Sequence, residues 1–170
     1  MVNIVESGME FGPFEDGDVF YIEKSKIYQK IQQNMQMAEF VVTMRNNSIW
    51  IVEAKSSSPN PRNKESEVSF DEYITEISNK LLNALTLTVS VVLNRHDNGT
   101  DEILPNVRKG IVGGHAIKLC LIIKGHNEEW LIPIQDALNQ QLYLNKKIWK
   151  FDIAVMNDNI ARTQKLISYM

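Results

Sequence analysis

The sequence predicts an α/β fold: a mixed sheet opened by an antiparallel hairpin, with helices on both faces. Three observations predict it. Two β-type runs, Glu39–Met44 and Ile49–Lys55, flank the turn-forming Arg45-Asn46-Asn47-Ser48. A long amphipathic stretch follows the second run, and strand-like and helix-like segments alternate after it. Strands joined through helices imply parallel pairs added to the hairpin. With 170 residues and 44% apolar composition, one domain with a proper core is expected.

Each element has its own local signal. Residues 1–18 mix apolar side chains with Gly8, Gly12, Pro13 and Gly17 and read as loop-rich, with room for a short strand. Val19–Ile22 is β-prone. Lys24–Gln33 fits two templates, because Ile27, Tyr28 and Ile31 make a helical stripe while the preceding alternation suits a strand. Ile49, Trp50, Ile51 and Val52 form a run apolar enough to be buried on both sheet faces. Ser56–Glu67, with Pro59 and Pro61, reads as a surface loop.

Ser69-Phe70-Asp71-Glu72 has the pattern of a capping box, with Ser69 as N-cap and Glu72 reaching back. Phe70, Ile74, Ile77, Leu81, Leu85, Val89 and Val92 then predict a helix of about 25 residues, closed by Asp97-Asn98-Gly99. Thr100–Gly114 carries Pro105, Gly110, Gly113 and Gly114 and reads as a long loop. Ala116–Lys124 is an apolar, central strand. Pro133 suits the first turn of a helix running to about Tyr143. Phe151–Met156 is a further buried strand, and Asp158 or Asn159 can cap a last helix through Ile167.

The chemistry concentrates where the apolar strand ends in Glu53-Ala54-Lys55. Residues two apart on a strand share a face, so Glu53 and Lys55 emerge as neighbours. A buried carboxylate beside an ammonium is costly unless the two are paired or metal-bound. Carboxylates are natural ligands for Mg²⁺ or Mn²⁺, and a lysine there can stabilise charge building on a phosphate. Glu39 is the partner acid, returned towards Glu53 by the hairpin. The turn admits two readings. A two-residue Asn46-Asn47 loop pairs Phe40 with Glu53 and turns Glu39 away; a three-residue Asn46-Asn47-Ser48 loop sets Glu39 opposite Lys55 on the same face. A single β-bulge would also correct the register.

An acid, a short spacer and a hydrophobic strand ending in Glu-x-Lys resemble the core of the PD-(D/E)xK nuclease superfamily, the restriction-endonuclease-like fold. The continuation Ser56-Ser57-Ser58 is similar to microbial members carrying an EAKSS-type motif. The chain departs from the usual pattern in having Glu39 where Asp is commoner, with no preceding proline. The resemblance implies a divalent-metal-dependent nuclease acting on DNA, less readily on RNA, in restriction, repair or mobile-element defence. Glu39 and Glu53 would hold Mg²⁺ or Mn²⁺, and Lys55 would position the attacking water. Glu23 and Glu10 are candidates for the accessory acid that such proteins carry before the hairpin. Tyr73 and Glu76, with Lys80, lie on the first turns of the long helix and can border the site. Arg62 and Lys64 make the loop after Lys55 locally basic and are candidates for nucleic-acid contact.

Other classes are disfavoured. A net charge of −3 does not suit a protein that grips DNA by bulk electrostatics, so a nuclease here needs a local basic patch or a partner, whether a second copy in a homodimer or another protein. Cys120, the only cysteine, leaves no internal disulfide and no zinc cluster, and reads as a buried inert thiol. His96, His115 and His126 have no ligand spacing. No signal-like or membrane-spanning stretch is evident, which points to a cytoplasmic protein that does not engage membranes. The competing reading is a catalytically degenerate module of the same fold, serving as a protein- or nucleic-acid-binding subunit.

Overall fold

The computed structural model describes residues 1–60, 67–97 and 102–168. A hairpin of β1 (Val2–Glu6) and β2 (Met9–Phe14) precedes a five-stranded sheet. That sheet is ordered β3 (Val19–Tyr21), β4 (Phe40–Met44), β5 (Ser48–Lys55), β6 (Ala116–Ile123) and β7 (Asp152–Asn157). The first three strands pair antiparallel, and β5, β6 and β7 pair parallel. The fold is therefore α/β with a mixed sheet, as the alternation of segments predicts.

Both faces of β5 are covered, and alternate residues serve two cores. Ile49 and Ile51 join the larger core, formed with α1 (Lys26–Ile31), α2 (Glu67–Val92), α3 (Pro105–Val112) and α4 (Glu128–Gln141). Trp50, Val52 and Ala54 join the smaller one, with Ile4, Phe11 and Phe14 of the opening hairpin and Ala161 of α6 (Asp158–Thr163). The expectation of helices on both faces needs correction in emphasis. Four helices lie on one face, while the other is covered mainly by β1–β2. The gap between α4 and β7 is bridged by α5 (Tyr143–Trp149), which buries none of its residues.

Several boundaries differ from those the sequence predicts, each for a local reason. The segment 1–18 holds two strands, because Gly8 supplies the positive φ of a tight turn (+72°) rather than marking a long loop. Lys24–Gln33 resolves as helix α1. Ser25 Oγ accepts from the Tyr28 N–H, and the Glu102 carboxylate accepts from the N–H groups of Lys26 and Ile27, so the exposed donors of the first turn are satisfied. Helix α2 starts at Glu67, which puts Ser69 inside the helix rather than at its N-cap. It ends before Asp97-Asn98-Gly99. Asn94 adopts a left-handed φ of +56°, and the N–H groups of Asn94 and Arg95 return to the carbonyls of Val91 and Ser90 in a Schellman closure.

The stretch read as a loop up to Gly114 contains α3, with Pro105 in its first turn. Gly110 is there for space. A Cβ at this position would sit 2.7 Å from Ile49 Cδ1 and 3.0 Å from His115 Nδ1, with Ile49 fully buried. Gly110→Ala should therefore destabilise the fold by about 1 kcal/mol net in urea titration. Overpacking of about 1–3 kcal/mol outweighs the roughly 1 kcal/mol gained in helix propensity. Helix α4 begins at Glu128, five residues before Pro133, which lies inside it. Asn157, rather than Asp158 or Asn159, caps α6 by accepting from the Ile160 N–H, and the helix stops at Thr163. Leu166 and Ile167 continue past it into the smaller core, where Ile167 bridges to Phe11.

Candidate functional site

The carboxyl ends of β5 and β6 and the N-terminal half of α2 bring the charged groups together. In open α/β sheets this end of the parallel strands is where ligands bind. The β4–β5 turn settles the register. Met44 pairs with Ser48 and Phe40 with Val52, so the loop is Arg45-Asn46-Asn47, with Asn47 at a φ of +57°. Neither loop expected from the sequence forms. Ser48 is drawn into the strand, where its Oγ accepts from Trp50 Nε1 at 2.8 Å. Glu39 then lies at the end of the ladder, its N–H donating to the Val52 carbonyl at 3.0 Å, beside the position of Glu53.

Glu53 is fully buried and holds the centre of an ion-pair network. Its Oε1 lies 2.8 Å from Lys80 Nζ and 3.4 Å from Lys55 Nζ. Lys55 in turn pairs with Glu76 Oε1 at 2.8 Å. Burial pushes the Glu53 carboxyl above its usual range, against the pull of Lys80 and Lys55. For Lys80, burial opposes the charge, but Glu53 above all, then Glu39 and Glu76, hold its pKa above the ordinary lysine value.

Glu39 is 6% exposed, and burial raises its carboxyl to about 8; the charges of Glu53, Glu23 and Glu6 add to this and Lys80 opposes it. Tyr73 is raised by burial, then by Glu53 and Glu76, which places it against the same network.

Three buried oxygens in this region have no hydrogen-bond partner: Glu39 Oε2, Glu53 Oε2 and the Tyr73 hydroxyl. Buried acceptors are normally satisfied, so two orphaned carboxylate oxygens are what a hard, oxygen-seeking cation would fit. Oxygen donors of this kind are the ligands that Mg²⁺ or Mn²⁺ takes.

The residues expected from the sequence divide as follows. Glu39, Glu53, Lys55, Tyr73 and Glu76 gather here. Glu23 joins Glu39: one carboxylate oxygen from each of Glu6, Glu23 and Glu39 lies within 4.8 Å of the others. Glu10 does not join; it sits on β2 with its Oε1 accepting from Asn3 Nδ2. Its strand register turns it to the exposed side of the hairpin. Arg62 and Lys64 lie outside the described residues.

One acid beside Glu39 carries no local sequence signal. Glu6 arrives by packing of the opening hairpin, with the Tyr21 hydroxyl donating to its carboxylate. The Ser58 hydroxyl and His126 Nε2 lie 2.9 Å apart just beyond β5 and β6, and burial lowers the His126 pKa. Cys120 is fully buried and its thiol is pushed up by that burial, matching an inert core residue. A separate cleft, lined by Asp18, Arg45, Asn106, Lys109 and His115, opens by the β4–β5 turn at the opposite end of the sheet from these acids.

Among the described residues, no helix is long and apolar enough to cross a membrane. Comparison of the chain with protein-family models, with curated proteins and with solved structures finds no match to any of them.

Proposed function

We propose that the chain is a divalent-metal-dependent nuclease that hydrolyses phosphodiester bonds of DNA, built on a restriction-endonuclease-like core. The observation that carries this reading is the gathering of Glu53, Lys55 and Glu39 at the carboxyl end of β5, with an unsatisfied buried oxygen on each acid. The order of a hairpin, a long helix and a returning parallel strand agrees with such a core.

Glu39 and Glu53 would hold Mg²⁺ or Mn²⁺. The ion, when bound, would lower the pKa of a coordinated water and neutralise charge on the phosphoryl oxygens. Lys55 keeps a quarter of its side chain exposed and would face the substrate, orienting the nucleophile and stabilising the charge that develops. Glu76 positions Lys55, and Lys80 holds the Glu53 carboxylate in place. Arg62 and Lys64 would supply contact to the DNA backbone, a need that the net charge of −3 leaves to a local patch or to a partner.

The test is incubation of the purified chain with DNA and Mn²⁺ beside Lys55→Ala. Metal-dependent cleavage that falls by about 10²-fold or more in the variant is the expected result. Cleavage that the variant retains would remove Lys55 and its neighbours from the mechanism.

A second reading, a non-catalytic module of this fold that binds a protein or nucleic acid, is favoured by one observation. Lys80 already occupies Glu53 Oε1, and Glu76 already occupies Lys55, so the network neutralises itself. Absence of cleavage by the unmodified chain with either Mg²⁺ or Mn²⁺ would favour this module.

A further inference from the structure

Glu6 ends β1, Glu23 follows β3 and Glu39 leads into β4, so three segments far apart in the chain each deliver one acid to a single point. Carboxylates gathered this closely repel one another when ionised. Among the described residues no lysine or arginine forms an ion pair with any of the three. Lys24, next to Glu23 in sequence, holds its Nζ 4.7 Å over the Tyr21 ring. Lys80 is committed to Glu53. The Tyr21 hydroxyl serves Glu6, yet Glu39, 94% withdrawn from solvent by its 6% exposure, keeps a buried Oε2 with no partner. A desolvated side chain with an unpartnered oxygen, set beside two further acids, is a place that a proton or a cation would fill.

We propose that Glu6, Glu23 and Glu39 form a binding site for a hard divalent cation of the Ca²⁺, Mg²⁺ or Mn²⁺ class, a site separate from the Glu53–Lys55 centre although Glu39 borders both. Oxygens less than 4.8 Å apart can all reach one ion at about 2.1–2.6 Å with small side-chain adjustments. Glu23 is exposed and provides the path of entry, Glu6 is half-buried, and Glu39 forms the floor. Water completes the coordination sphere. The inference does not rest on the nuclease reading: Glu39 is common to both, while Glu6 is bound up with this site alone and neither Lys55 nor Glu53 belongs to it.

Titration of the full chain with Mn²⁺ alone, followed by electron paramagnetic resonance and calorimetry, tests the proposal. Glu6→Gln and Glu23→Gln should each weaken Mn²⁺ binding by at least about tenfold, whereas Glu10→Gln, on the exposed side of the hairpin and outside the site, should bind as the unmodified chain does. Glu23 is exposed, so its variant keeps the fold, which equal melting temperatures in chelator would verify. Unchanged Mn²⁺ affinity in either glutamine variant, or no binding by the unmodified chain at millimolar Mn²⁺, overturns the site. Because cleavage is read through Lys55 and cation binding through Glu6 and Glu23, failure of one assignment leaves the other standing.

Discussion

Replacing Lys80 with methionine should lower the unfolding free energy by about 3–5 kcal/mol, the cost of stripping the partner from a buried charge. Glu53 is fully buried, and Lys80 Nζ is its closest cation at 2.8 Å. Lys55 stands farther off at 3.4 Å and is shared with Glu76. In the variant, Glu53 would have to bind a proton or remain uncompensated in a medium of low polarity. The deficit should shrink as pH falls, because a folded carboxyl with a raised pKa takes up a proton that the unfolded chain has released. Urea denaturation checks both statements. The double variant Lys80→Met with Glu53→Gln should recover most of the loss, since no charge is then stranded. A loss in the double variant equal to the sum of those in Lys80→Met and Glu53→Gln alone would mean that Lys80 and Glu53 are not coupled.

The second large effect concerns Glu39. In chelator, stability should decline as pH rises from about 4.5, the ordinary glutamate value, to about 8, where burial and the neighbouring acids place this carboxyl. Across that window the folded chain holds a proton that the unfolded chain has lost, so each added pH unit favours unfolding. The slope approaches about 1.4 kcal/mol per unit for one full proton. Glu39→Gln removes the contribution: its profile should be flatter over the same range, and the variant should be the more stable protein at pH 8. Parallel profiles for the two proteins, measured by urea titration at several pH values, would show that Glu39 is ionised in the folded state.

Much of this architecture is legible in local pattern. The run Ile49–Lys55 announces a doubly buried strand, and the spacing from Ile74 to Val92 announces its covering helix. What escapes the sequence depends on contacts between distant residues. Gly110 and Pro105 look like loop punctuation until Ile49 is seen to press against Gly110, leaving no room for a side chain. Asn47 tolerates a left-handed turn in several registers, and only the pairing of Met44 with Ser48 decides between them. Lys80 and Glu76 lie on the polar side of their helix in any reading. Which of them meets Glu53 and which meets Lys55 follows from how the helix slides along the strand, a quantity that periodicity does not carry. Glu6 is further still from legibility, because its role exists only once the first hairpin has docked.

That docking has a thermodynamic corollary. The opening hairpin closes the smaller core with one side of its strands and, at its tip, delivers an acid to the proposed cation site. Ion loading and hairpin closure must then reinforce one another by the same factor in each direction. Anything that peels the hairpin from the sheet, such as a protease or an invading strand, would release the ion while the central ladder of β4, β5 and β6 stayed intact.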